Sequence, residues 1–262
     1  MTEYKMIELE RRDDGIAIVS INRPKRLNAL NEEVLAELFH AATALGEDDD
    51  LRAVIFTGAG DRAFVAGADI AAMSEMSAEE AKRFGLKGHQ TMSAIANLPV
   101  PTLAAVNGFA LGGGLELAIS CDLIYLADSA KVGLPEVGLG IIPGFGGTQR
   151  LGRLIGWQQA RRLVFTGATL NAEEAFEIGL ALGVFPGDAL LDAVIEEAQT
   201  IAQKGPVAVR QAKEAMRLGS DRALDKALDL EVQGFAGLWE TADRKEGMQA
   251  FLEKRSPDFR GQ

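Results

Sequence analysis

Two glutamates stand in glycine-framed, mostly apolar stretches. One is Glu116, in Ala105-Val106-Asn107-Gly108-Phe109-Ala110-Leu111-Gly112-Gly113-Gly114-Leu115-Glu116-Leu117-Ala118. The other is Glu136, in Gly133-Leu134-Pro135-Glu136-Val137-Gly138-Leu139-Gly140-Ile141-Ile142-Pro143-Gly144. A free carboxylate is costly in such surroundings. Two carboxyl groups sharing a dry pocket are suited to taking a proton from one atom and delivering one to another. The bland alternatives are a surface-helix glutamate for Glu116 and a helix-start carboxylate for Glu136.

The triple glycine Gly112-Gly113-Gly114 lets a ligand approach bare backbone at a helix start, where unpaired N–H groups point outward. Such donors can stabilise an oxygen that becomes negative during reaction. A second donor is expected from Phe64-Val65-Ala66-Gly67-Ala68-Asp69-Ile70, a small-residue loop that enters a helix at Asp69, which serves either as a plain N-cap or in binding. Tight turning or close packing is the alternative use of the three glycines. A P-loop is excluded because no Gly-Lys-Ser/Thr follows. Gly138-Leu139-Gly140 with Gly144 misses the dinucleotide-binding spacing, which disfavours a plain NAD-binding protein.

The elements that must position these residues follow from pattern. Ile7 to Arg11 and Ile16 to Asn22 read as strands joined by an Asp13-Asp14-Gly15 hairpin turn. Asn31 caps a helix carrying Val34, Leu35, Leu38 and Ala42 on one face. Ala53 to Thr57, Thr102 to Val106, Leu123 to Ala127 and Leu182 to Phe185 read as buried strands. Helices are expected over Ala78 to Leu98, from about Gly114, and after Gly147, Trp157 and Asn171. Beyond about Gly187 only helices are read, broken at Gly205-Pro206, Gly219-Ser220 and Gly237. The fold class is α/β, built of strand–helix units with parallel crossovers. The division expected is a catalytic core over 1–196 and a helical region over 197–262, whose amphipathic stretches must pack on the body or on another subunit.

Composition sets limits. The 262 residues suit one large α/β domain with a helical appendage. The net charge of −11 argues against wholesale binding to nucleic acid or an anionic membrane, so an anionic ligand must be met locally. Cys121 is the only cysteine, so no internal disulfide forms and a reducing compartment fits. The only two histidines, His40 on a helical pattern and His89 in a polar stretch, leave little for a zinc site or a Ser-His-Asp triad. Met1-Thr2-Glu3-Tyr4-Lys5 has no apolar signal core and no run is long enough to span a bilayer, so a cytoplasmic protein is expected.

An ordered set of motifs resembles the crotonase, or enoyl-CoA hydratase/isomerase, superfamily. They are Asn22-Arg23-Pro24 with Asn28-Ala29-Leu30; Ala66-Gly67-Ala68-Asp69-Ile70; Asn107-Gly108 with Gly112-Gly113-Gly114-Leu115-Glu116-Leu117-Ala118; Cys121-Asp122; Pro135-Glu136; Ile142-Pro143-Gly144 with Gly146-Gly147-Thr148; and Glu246-Gly247-Met248-Gln249-Ala250-Phe251 through Lys254-Arg255-Ser256-Pro257-Asp258-Phe259. The resemblance spans nearly the whole chain. It implies a crotonase-like spiral of ββα units with a helical C-terminal trimerisation region, assembled as a hexamer, a dimer of trimers. It implies Glu116 and Glu136 as catalytic acids and the N–H groups of Ala68 and Gly113 as an oxyanion hole. Ala66, Ala68, Asp69, Ile70 and Gly113 are implied to line the CoA-ester site. Lys25 and Arg26 fall in the region that meets CoA phosphates, and Phe259, with Lys254 or Arg260, belongs to the C-terminal segment that reaches a neighbouring subunit. The implied reaction is hydration of a trans-2-enoyl-CoA, with no metal or redox cofactor, since CoA arrives with the substrate. Leu134 departs from the commonest hydratase wording. The rivals are double-bond isomerisation on the same fold and a non-catalytic member that binds RNA or a partner.

Overall fold

The computed structural model describes residues 4–262; Met1 to Glu3, the first residues of the expected leaderless start, lie outside them. The strands are β1 (Ile7–Arg11), β2 (Ile16–Ile21), β3 (Ala53–Gly58), β4 (Ala63–Val65), β5 (Thr102–Val106), β6 (Phe109–Leu111), β7 (Leu123–Ala127), β8 (Lys131–Gly133), β9 (Thr169–Asn171) and β10 (Gly183–Phe185). The α-helices are α1 (Glu32–Gly46), α2 (Ile70–Met73), α3 (Ala78–Ala96), α4 (Gly113–Ala118), α5 (Gly147–Ile155), α6 (Trp157–Thr166), α7 (Ala172–Glu177), α8 (Leu190–Ala202), α9 (Pro206–Gly219), α10 (Leu224–Gly237) and α11 (Ala242–Glu253).

Two sheets result. One has six strands in the order β1-β2-β3-β5-β7-β10, the other four in the order β4-β6-β8-β9. In the first, β1 pairs antiparallel with β2 through the expected hairpin, and the remaining pairings are parallel. The chain alternates between sheets: β3 then β4, β5 then β6, β7 then β8, each pair followed by helix. This is the expected spiral of ββα turns. β3 and β5 are buried along their whole length, which accounts for their unbroken apolar reading rather than an alternating one.

Local chemistry fixes the helix starts. The Asn31 side chain accepts a hydrogen bond from the Val34 N–H, and α1 buries Val34, Leu35, Leu38, Ala41, Ala42 and Leu45. Ser77 and Glu80 form a capping box on α3, as Asn171 and Glu174 do on α7. α1 and α3 pack together on the outside, while α8 packs on β2, β3, β5, β7 and β10.

Positions 196 and 197 both fall inside α8, whose Leu190, Val194 and Ala198 are buried. The chain changes character at Gly205-Pro206, where Pro206 opens α9. α9 and α10 pack on each other, and α10 has no fully buried residue. Among the described residues no helix is long and apolar enough to cross a membrane.

The short second sheet holds what pattern did not show. β4, β6, β8 and β9 are three residues each, and Phe64-Val65, read above as part of a loop, belongs to β4. Its register is what matters for chemistry. β6 pairs with β8 so that Leu111 lies opposite Gly133, and the next amide, Gly112 N–H, donates to the Gly133 carbonyl at 2.9 Å. α4 begins directly after that bond, and Pro135-Glu136 follows β8 on the other strand. Two glutamates twenty residues apart are thereby carried to one place.

Candidate active site

Glu116 is the fourth residue of α4, a helix whose six residues are all buried. It is 1% exposed. Its Oε1 accepts two backbone hydrogen bonds, from the Phe145 N–H at 2.8 Å and the Gly147 N–H at 2.7 Å. Both donors belong to the turn that leads into α5, so that turn is a cradle for the carboxylate. Phe145 is held by its own packing: its ring meets Phe84 edge-on at 5.2 Å between centroids and lies over Gly88 of α3. Burial raises the Glu116 pKa to about 7, the two amides oppose that rise, and the charge of Glu136 adds to it.

Glu136 sits in the first turn of a 3-10 helix, Pro135–Leu139, and is 9% exposed. Its Oε2 is buried and has no hydrogen-bond partner among the described residues. Burial raises its pKa as well. Glu116 is not the surface-helix residue of its bland reading, whereas Glu136 does stand at a helix start, as its bland reading had it, but is buried there. An unpartnered buried carboxyl oxygen is expensive, and one that faces a cavity is placed to meet a water or a substrate atom.

The cavity has a volume of about 580 Å³ and both glutamates line it. So do Ala66, Ala68 and Ile70 from the β4–α2 segment, and Gly112 and Gly113 from the start of α4. Gly112 has φ +53° and ψ −123°, a conformation only glycine adopts readily, and a Cβ there would lie 2.8 Å from Glu136 Oε1. The neighbouring amides on either side of Ala68 are used: Gly67 offers its carbonyl to the Leu30 N–H and Asp69 N–H donates to the Leu30 carbonyl, both at 2.8 Å. The Ala68 N–H itself has no partner among the described residues, and neither has the Gly113 N–H at the first position of α4. Two free amides and two protonatable carboxyl groups therefore border one largely apolar space. Such a space can hold a carbonyl oxygen on the amides while the carboxyl groups handle a water and a carbon-bound proton.

Not every expected residue is brought there. Asp69 precedes α2 but its side chain makes no cap; it pairs with Arg23 at 3.2 Å and does not line the cavity. Arg26 lies exposed in the 3-10 turn Pro24–Arg26, beside Lys25, and does not line the cavity either. Phe259 packs near Gly205 and Gly247 in the C-terminal helical region, away from the two glutamates of its own chain.

Three contributors carry no chemical signature in sequence. Phe145 and Gly147 act through backbone N–H groups. Asn28 is buried in a left-handed conformation, accepts from the Arg23 N–H at 2.9 Å, and donates to the carbonyls of Ala59 and Ala63 at 3.0 and 2.8 Å. It ties the turn after β2 to β4, and so fixes the segment that presents Ala68. Its place in the Asn28-Ala29-Leu30 motif was the available signal.

Comparison with known proteins agrees with this arrangement. The family model described as enoyl-CoA hydratase/isomerase matches residues 11–262. The chain belongs to the enoyl-CoA hydratase/isomerase family. It is 48% identical to the crotonyl-CoA hydratase of Syntrophomonas wolfei and 46% identical to the short-chain-enoyl-CoA hydratase of Clostridium acetobutylicum, over 98% and 97% of both chains respectively. A crystal structure of enoyl-CoA hydratase from Bacillus anthracis superposes with a TM-score of 0.96 at 43% identity, covering 98% of this chain and all of that one. The family relationship agrees with the ββα spiral described above.

Proposed function

We propose that the chain is an enoyl-CoA hydratase, a hydro-lyase that adds water reversibly to a trans-2-enoyl-CoA to give a 3-hydroxyacyl-CoA. One observation carries the site assignment: two buried carboxyl groups and two unpartnered amides border the same cavity. The thioester oxygen is taken to sit on the N–H groups of Ala68 and Gly113. As water adds at C3, charge builds on that oxygen, and the two donors stabilise it; loss of one such donor costs about 3–4 kcal/mol.

Glu116 takes a proton from the attacking water and Glu136 supplies one to C2. With its Oε1 held by two amides, Glu116 has a fixed orientation and its other oxygen is left to meet the water. The like charges of the pair resist joint ionisation, so one acid and one base coexist near neutrality. CoA arrives as part of the substrate, and no further cofactor enters the steps assigned to these residues. The two hydratases named above, one for crotonyl-CoA and one for short-chain substrates, support short enoyl thioesters as substrates here.

The reading extends to assembly and location. The helices after Gly205 are taken to join copies of the chain as a homo-hexamer, a dimer of trimers, in the cytoplasm. Phe259, Lys254 or Arg260 then meet CoA from a neighbouring subunit, with Lys25 and Arg26 on the same chain.

The test is addition of the protein to crotonyl-CoA while the absorbance of the conjugated thioester is followed. Rapid loss with formation of 3-hydroxybutyryl-CoA is expected. No loss overturns the proposal, and conversion of 3-enoyl-CoA without hydration would make the chain an isomerase instead.

A further inference from the structure

Leu30 lies between the turn after β2 and the start of α1; it is fully buried and does not line the cavity, so it does not touch substrate. Its main chain forms an isolated parallel bridge with Ala68. The Leu30 N–H donates to the Gly67 carbonyl, and the Leu30 carbonyl accepts from the Asp69 N–H, both at 2.8 Å. The Gly67 carbonyl and the Ala68 N–H belong to one planar peptide, so holding the carbonyl aims that N–H the opposite way. The peptide on the other side of Ala68 is held through the Asp69 N–H. Leu30 thus pins both peptide planes that flank Ala68. Arg23 secures the same turn: its guanidinium donates to the Ala29 carbonyl and pairs with Asp69 at 3.2 Å. The side chain of Leu30 reaches the other free amide. A Cβ on Gly113 would lie 3.2 Å from Leu30 Cδ1 and 3.2 Å from the Phe145 ring, so Gly113 is seated between the two. Its neighbour Gly114 approaches β4 so closely that a Cβ there would lie 1.9 Å from the Val65 carbonyl oxygen.

We propose that Leu30 is a positioning residue that spaces the two N–H donors: its main chain aims the Ala68 N–H and its side chain seats Gly113. The inference rests on those two amides receiving the thioester oxygen, as in the reading above. Two donors act together only when both lie about 2.7–3.1 Å from the position of one oxygen. Shortening Leu30 keeps its main-chain bonds to Gly67 and Asp69 but removes the stop against Gly113. The first residue of α4 then gains freedom, and one donor shifts relative to the other. Misplacement by roughly 1 Å is enough to cost up to about 10²-fold in rate.

The experiment compares Leu30→Ala, Leu30→Val and Leu30→Met with the unaltered protein, and adds Leu45→Ala, a buried α1 position away from the cavity, as a control for general loosening. The probe is acetoacetyl-CoA, which loses a C2 proton to leave an enolate with charge on its oxygens and absorbance in the near ultraviolet. The ratio of bound enolate to bound keto form, at one pH, reads how well the amides hold a negative oxygen. In Leu30→Ala that ratio should fall about 10-fold, and kcat on crotonyl-CoA by a similar factor. Affinity for butyryl-CoA, a thioester that cannot be hydrated, should stay within about twofold. Leu30→Met, whose side chain still reaches Gly113, should restore most of the ratio. An unchanged ratio in Leu30→Ala overturns the inference, as does an equal fall in Leu45→Ala or the absence of any enolate on the unaltered protein. Should Leu30→Ala fail to fold, Leu30→Val is read by the same criteria, with a fall of about threefold expected. An unaltered protein that forms the enolate but leaves crotonyl-CoA untouched would instead sink the hydratase reading, so the two failures are distinct.

Discussion

Glu116 and Glu136 are both buried acids, yet their surroundings differ in a way that separates their roles. Glu116 has two amide donors on one oxygen, whereas Glu136 has an oxygen with none. The first is oriented by the protein and the second waits for a partner from the cavity. Glu136→Gln should therefore leave binding of a CoA ester nearly unchanged while lowering kcat by roughly 10²-fold or more, checked by steady-state kinetics on crotonyl-CoA. The raised pKa of Glu116 also has a consequence for stability. Its ordinary value is 4.5 and the folded value is about 7. A carboxyl group raised on folding binds more protons in the native state, so its favourable contribution is present below pH 4.5 and is lost as pH rises through 7. The full loss is on the order of 3 kcal/mol. Glu116→Gln keeps an acceptor oxygen for Phe145 and Gly147 but cannot ionise. It should unfold in urea much as the unaltered protein does near pH 4.5 and be more stable by roughly 1–3 kcal/mol at pH 8. An advantage that fails to grow with pH would contradict the raised pKa.

At the scale of elements, the site depends on a second sheet whose strands are too short to read. Three residues give no usable alternation, and Gly108 to Gly114 hides β6 inside what looks like one glycine loop. The long elements were legible because their physics is local: the Asn31 cap, the Asp13-Asp14-Gly15 turn and the unbroken apolar runs of β3 and β5. The pairing of β6 with β8, Leu111 opposite Gly133, is not local, and it helps bring α4 to the turn bearing Glu136. The cradle for Glu116 was invisible for another reason, since backbone N–H groups leave no residue signature. One trace of it is Gly88. A Cβ on this α3 residue would lie 1.9 Å from the buried Phe145 ring, so the ring would have to shift. Gly88→Ala should push Phe145, and with it an amide donor to Glu116. The expected cost is about 1–3 kcal/mol of stability together with a drop in kcat. Thermal unfolding and crotonyl-CoA kinetics on the same sample check both, and a variant normal in each would mean that α3 does not hold the cradle.

For the whole molecule, the division of labour between core and tail follows from what each leaves exposed. The sheets and α8 close a core with few polar members, of which Asn28, Glu116 and Glu136 concern the site. α10 does the opposite. Leu224, Leu228, Val232 and Phe235 recur at helical spacing and all are exposed, Val232 and Phe235 by 64% and 61%. A stripe of that kind on one chain is a surface for another, and monomers seldom leave such a patch uncovered. The amphipathic character of this region was visible in sequence, but which face would remain open was not, because that depends on how α9 covers α10. The stripe is taken to meet a second copy of the same chain, in keeping with a net charge of −11 that gives copies little reason to associate except through apolar contact. Val232→Glu with Phe235→Glu would place charge in the middle of that contact. Light scattering after size-exclusion chromatography should show the unaltered protein larger than a 27.9 kDa monomer and the double variant shifted towards it. If the C-terminal residues of a neighbour complete the CoA site, the dissociated variant should also show a raised KM for crotonyl-CoA, with a kcat less affected because Glu116, Glu136, Ala68 and Gly113 all come from one chain. A double variant of unchanged size would remove α10 from the assembly, whatever the oligomer proves to be.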